Sequence, residues 1–271
     1  MISSVMFISA GLLSLLAAWL IVVCMRAGGN GEAIQRNISL LVGGSIICTL
    51  VAILELGFIA ATGLTLTLIT VAGFTILLIQ NLYLLGMWQH GVRGLGLLLL
   101  PITASILFIL PFLPVATSDH WVEARSFLQT GHLLLSVVAY AMLTMAALYA
   151  IMQLKLDNAL KNKQIGKFMQ AMPPLSDINN YLFAHVRWAT WLLALSILTG
   201  LAWQWIEMHH FALLNHKVLL AIFAWVLLLT LSYMRSKAAW HHNRASKMVL
   251  VAYVTLILAY FGVKIIHNLN G

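Results

Sequence analysis

The stretch ISSVMFISAGLLSLLAAWLIVVCM, residues 2–25, decides the class of fold. It runs 24 residues without a charge, and a helix needs about 20 such residues to cross the hydrocarbon core of a bilayer. The same texture recurs along the chain. Of its 271 residues, 62% are hydrophobic and 8% charged, whereas a soluble domain carries roughly 25% charged residues. So few charges cannot cover a water-soluble globule. This excludes a cytosolic enzyme, a disordered protein and a nucleic-acid-binding domain. A membrane barrel would show alternating segments of about 10 residues, but the apolar runs here are unbroken. The expected fold is all-α: a polytopic membrane bundle forming one integral domain over residues 1–271.

Eight spans are expected, at 2–25, 38–61, 64–88, 94–116, 130–154, 182–204, 216–234 and 248–268. No basic segment precedes the first and no small-residue cleavage pattern follows it, so it reads as a true span rather than a removable signal. The link at 62–63 predicts a tight helical hairpin. Pro101, Pro111 and Pro114 predict a kink in the fourth span, since proline removes a backbone hydrogen bond. The interval 155–181, with Lys155, Asp157, Lys161, Lys163, Lys167 and Pro173-Pro174, reads as an amphipathic or irregular connector on the membrane surface. Cys24 and Cys48 sit inside apolar segments with no C-x-x-C-H pattern, so neither a disulfide framework nor a covalent haem attachment is expected.

The formal charge of +8 is an orientation signal. Twelve of the fifteen basic residues fall in alternate connections: Arg26, Arg36, Arg93, Lys155, Lys161, Lys163, Lys167, Arg187, Arg235, Lys237, Arg244 and Lys247. The other face keeps Arg125, Lys217 and Lys264. By the positive-inside rule the first set is cytoplasmic and both termini point outward.

That topology crowds polar chemistry onto the outer face. The 117–129 loop holds Asp119, His120, Trp121, Glu123 and Arg125, and His132 opens span five. The 203–217 segment carries Trp203, Trp205, Glu207, His209, His210, His216 and Lys217, and His267 ends the last span. Taken singly, His132 and His267 read as interfacial anchors. Together, expected at one depth, they are a pair of imidazoles suited to bis-histidine haem ligation. Trp203 and Trp205 read either as interface-belt residues or as an aromatic platform for a porphyrin. Arg125, Lys217 and Lys264 are the outer cations available to pair with haem propionates.

The stretch Gly131-His132-Leu133-Leu134-Leu135-Ser136-Val137-Val138-Ala139-Tyr140-Ala141 resembles the helix bearing the first external histidine of the CcsA/CcmC cytochrome c assembly family. The order that follows is also similar: a tryptophan-bearing outer segment, one span, a basic cytoplasmic loop, a last span and a histidine. Met172-Pro173-Pro174-Leu175, Leu182-Phe183, Leu198-Thr199-Gly200, Asn215-His216-Lys217 and Ala224-Trp225 resemble most closely the YpjD-type inner-membrane branch. The resemblance is clearest over 130–271. It implies a multi-pass, haem-handling protein of the bacterial inner membrane, with non-covalent b-type haem held by His132 and His267. The family motif W-G-x-x-W-x-W-D is reduced here to Trp203-Gln204-Trp205. Where the CcsA branch has an intramembrane histidine near the inner end of span seven, this chain has Ser232-Tyr233, which counts against transmembrane haem export.

Other residues carry rival readings. Glu55 is read as the one acid deep in a span, either paired with Arg125 or Lys217 or serving as a proton or cation relay. Glu207, His209, His210 and His216 offer an imidazole and carboxylate set for a divalent metal. Gln80 and Asn81 are expected to hydrogen-bond between helices. His185 and Arg187 read as inner anchors, and His241-His242 as solvated. There is no P-loop, Rossmann glycine pattern, H-E-x-x-H or G-x-S-x-G, so a non-enzymatic role is expected. The main expectation is a haem-handling protein whose partners are haem, membrane lipids and a cytochrome c assembly subunit or membrane transporter. The alternative is an accessory subunit of a magnesium or cobalt efflux system.

Overall fold

A computed structural model describes residues 2–27, 32–60, 63–90, 93–113, 122–124, 126–163, 173–207, 216–235 and 242–259. Among them are eight α-helices: α1 (Ile2–Ala27), α2 (Glu32–Glu55), α3 (Leu68–His90), α4 (Gly96–Ile109), α5 (Phe127–Lys161), α6 (Leu175–Glu207), α7 (His216–Arg235) and α8 (His242–Ile257). Six of these are long and apolar enough to cross a membrane, and Gly96–Phe112 forms a shorter apolar helix. The fold is the expected helical membrane bundle. Its helices cluster as two compact units, one holding α1–α4 and the other built on α5–α8.

Interior and exterior are sorted for lipid. In α1 the buried residues Phe7, Ala10, Ser14, Ala17, Ala18 and Ile21 recur at helical spacing, and small residues let helix backbones approach closely. Bulky apolar residues face outward instead: Trp19 is 63% and Leu40 67% exposed. At the centre of this unit Gln80 Nε2 donates to Ser14 Oγ (2.9 Å), and Ser45 Oγ donates to Gln80 Oε1 (3.2 Å). Ser45 Oγ also reaches the Ala10 carbonyl at 2.9 Å. Gln80 thus bonds between helices as expected. Asn81 does not, since its amide returns to Leu77 O of its own helix.

The second span ends earlier than hydropathy suggests, at Glu55 instead of residue 61. Gly57, at φ +76°, turns the chain. Its N–H bonds to Leu54 O at 3.0 Å and Phe58 N–H to Ile53 O at 3.2 Å, the paired closure of a Schellman cap. Phe58 then stacks on Phe74, ring centroids 5.1 Å apart. The expected tight link at 62–63 is replaced by strands β1 (Ile59–Ala60) and β2 (Gly63–Leu66), which pair antiparallel, with β3 (Val122–Ala124) on the far edge of β2. Glu55 is consequently not deep in a span. It is the last residue of α2 and is exposed.

The long helices overshoot the bilayer. At 1.5 Å per residue, the 35 residues of α5 and the 33 of α6 extend about 50 Å, against a hydrocarbon core of about 30 Å. Of the connector expected at 155–181, residues 155–161 and 175–181 are therefore helix, and 164–172 lie outside the described residues. In the fourth span α4 continues through Pro101, and a 3₁₀ turn at Leu110–Phe112 takes in Pro111. Pro114 lies outside the described residues.

Candidate functional site

Ser126 sets the start of α5. Its hydroxyl accepts the Gln129 N–H at 3.1 Å, satisfying an amide the helix leaves without a partner, and its carbonyl accepts the first intrahelical bond, from Thr130 N–H at 3.0 Å. His132 follows in the second turn, half-buried against α6.

Four contacts define the surroundings of His132, one of them Ser196 Oγ at 3.3 Å from Nδ1. Its Nδ1 lies 2.7 Å from the Ser196 carbonyl oxygen. A carbonyl only accepts, so Nδ1 carries a proton and donates it, and in the neutral imidazole that places the lone pair on Nε2. The Ser136 hydroxyl bonds back to His132 O at 2.7 Å and meets Ser196 Oγ at 2.7 Å, tying α5 to α6. Beneath the ring is Gly200, where a Cβ would stand 2.7 Å from Nδ1 and 2.8 Å from Cε1. Ser196 and Gly200 lie one turn apart on one face of α6, and that face accepts the ring because it is small.

One further turn along this face, Gln204 Oε1 is buried without a hydrogen-bond partner among the described residues, as is Trp225 Nε1 of α7. Trp203 and Trp205 do not form one platform. α6 runs on to Glu207, and helical residues two apart point away from each other. Trp203 is half-buried, whereas Trp205 is 64% exposed. His216 and Lys217 open α7, their side chains outside the described set. Arg125, Lys264, His267, His209 and His210 lie outside the described residues.

α5 is also bonded to α8. Tyr140 OH donates to Leu256 O at 3.2 Å, and Thr144 Oγ1 donates to Tyr253 OH at 3.3 Å. Towards the other end, Ser246 Oγ donates to Gln153 Oε1 (2.9 Å) and Gln153 Nε2 to Asn179 Oδ1 (3.2 Å). His185 is half-buried, its ring 5.3 Å from that of Tyr149 and its Nδ1 donating to Tyr181 O at 2.8 Å.

The cytochrome c assembly protein family matches the chain over residues 9–269. The chain belongs to that family. Inner membrane protein YpjD of Escherichia coli K12 is 34% identical over 183 residues, covering 65% of this chain and 67% of that protein. A 28.8 kDa protein of Azospirillum brasilense is 29% identical over 137 residues, covering 51% of each. No solved structure matches. Membership of the cytochrome c assembly family supports a haem-handling role in general.

The donor chemistry around His132 fits that role. A ligating imidazole characteristically gives its other ring N–H to a carbonyl or carboxylate, which fixes the tautomer and raises ligand basicity. Ser196 supplies that carbonyl, and Gly200 the room for the ring. Reading from composition and motif order missed Ser196 as a positioning residue. The available signal was the small-xxx-small spacing of Ser196 and Gly200.

Proposed function

We propose that this cytochrome c assembly family member is a haem-binding protein of the bacterial inner membrane that catalyses no reaction of its own. It holds b-type haem non-covalently at the outer face, with His132 and His267 as axial ligands and both termini periplasmic. The observation that supports this reading is the Nδ1 hydrogen bond from His132 to the Ser196 carbonyl, which orients the imidazole and leaves Nε2 for a metal.

The other residues follow from the chemistry of an amphiphilic dianion. Arg125, Lys217 and Lys264 pair with its propionates at the water edge. Trp203, the half-buried tryptophan, supplies aromatic surface, and His216 a polar rim. When bound, haem would supply an iron centre that takes imidazole nitrogen as ligand. Its partners are a cytochrome c assembly subunit or a membrane transporter, with lipid around the bundle.

Detergent-purified protein from haem-replete cells tests the proposal. The expected result is a Soret band in the wild type that is lost in His132→Ala and in His267→Ala, and restored to His132→Ala by added imidazole. A colourless wild-type protein overturns it.

A further inference from the structure

The opposite end of the α6–α7 pair is hollowed. A cavity of about 380 Å³ is lined there by Phe183, Arg187, Ser232 and Arg235. Two guanidinium groups thus converge on one space, and neither has a carboxylate partner among the described residues. Arg235 is held from two sides. Its Nη2 donates to Asn180 Oδ1 at 3.1 Å, and its Cζ stands 4.6 Å over the Phe183 ring. The third polar group, Ser232 Oγ, is buried with no hydrogen-bond partner among the described residues. Two unneutralised cations and an unused hydroxyl around a cavity call for an anion that accepts several hydrogen bonds. Planar guanidinium groups match the oxygens of a phosphate in this way.

The surroundings favour a phosphate attached to a lipid. Arg235 ends α7, and the basic residues assign this end of the unit to the cytoplasmic membrane surface. One turn from Arg187 along the same face of α6 lies Trp191, 66% exposed, followed by Leu195 at 48% and Leu198 at 62%. That strip runs from the arginine towards the bilayer, where an acyl chain would lie. We infer that the cavity between α6 and α7 binds the phosphate of an anionic phospholipid of the inner leaflet through Arg187, Arg235 and Ser232. The inference does not depend on the haem proposal.

Phosphatidylglycerol titrated into the delipidated, detergent-solubilised full chain and followed by native mass spectrometry tests this. The expected result is one retained phosphatidylglycerol in the wild type. Arg187→Gln and Arg235→Gln each weaken retention about tenfold, the scale of one lost charge-assisted pair. Ser232→Ala weakens it less, and Lys155→Gln, an exposed inner lysine, leaves it unchanged. Arg235→Gln also removes the Asn180 bond, so melting in the same detergent is measured alongside. Arg187→Gln, with no such bond among the described residues, carries the test if that variant does not fold. Retention unchanged in Arg187→Gln, or phosphatidylcholine held as tightly as phosphatidylglycerol, overturns the inference. Displacement of the lipid by millimolar inorganic phosphate also overturns it, assigning the site to free phosphate.

Discussion

The imidazole of His132 packs so closely on Gly200 that the helix backbone forms the floor of the histidine site. A methyl group at position 200 would stand 2.7 Å from Nδ1, well inside van der Waals contact, so Gly200→Ala must push the ring off the Ser196 carbonyl. The expected outcome is loss or a marked shift of the Soret band in a protein that still folds. Gly131→Ala is the matched control, because a Cβ there meets nothing within 4 Å. It should leave the spectrum unchanged and stabilise α5 by up to about 1 kcal/mol. Visible spectra and melting curves of both variants check this, and an unchanged Gly200→Ala spectrum would sink it.

Ser196 separates anchoring from packing. Its backbone carbonyl stands 2.7 Å from His132 Nδ1, whereas its hydroxyl is farther from that nitrogen, at 3.3 Å, and meets Ser136 Oγ at 2.7 Å. Ser196→Ala should therefore retain haem and lose stability only. Interhelical hydrogen bonds in membranes average about 0.6 kcal/mol, and a double-mutant cycle with Ser136→Ala should return a coupling of that order. Denaturant titration in mixed micelles measures it, and haem loss in Ser196→Ala would move the anchoring role to the hydroxyl.

The apolar runs announced the spans because a bilayer selects for hydrocarbon surface and tolerates few charges. Their ends were less legible, since hydropathy is blind to the backbone. Phe58, Ile59 and Ala60 read as more of span two, yet Gly57 at φ +76° had already stopped the helix. Lys155, Asp157 and Lys161 read as connector, although charges are welcome in a helix that projects into water. Ser126, the cap that starts α5, was a local signal passed over. At the site, His132 stood out as a polar residue entering an apolar helix. Its partner on α6 did not, because the Ser196 carbonyl is 64 residues away and any residue type supplies one. Trp203 and Trp205 misled for a simpler reason: span six was expected to end at 204, but α6 runs on to Glu207 and turns the two rings apart.

Gln80 is the polar hub of the α1–α4 unit and is fully buried. Gln80→Leu keeps the side-chain size but removes both bonds, to Ser14 and Ser45. The two serines remain bonded to each other at 2.9 Å, so no hydroxyl is orphaned and the cost should be about 1 kcal/mol rather than several. Asn81→Leu, at an exposed position bonded within its own helix, should change stability by less than about 0.5 kcal/mol. Unfolding of the two variants in an SDS titration distinguishes them, and equal effects would show that the buried network contributes nothing specific.

Gly57 tests where α2 ends. An L-residue pays about 1 kcal/mol or more for a left-handed conformation, and Gly57 holds φ at +76° while closing the cap through Leu54 and Ile53. A Cβ there meets nothing within 4 Å, so the cost of Gly57→Ala is conformational and not a clash. It should destabilise the protein by about 1 kcal/mol, whereas Gly43→Ala, mid-helix in α2 and equally open, should be neutral or stabilising. Opposite signs in paired melting experiments are expected. If both substitutions stabilise, α2 continues through residue 57 and the strands that follow it are not formed.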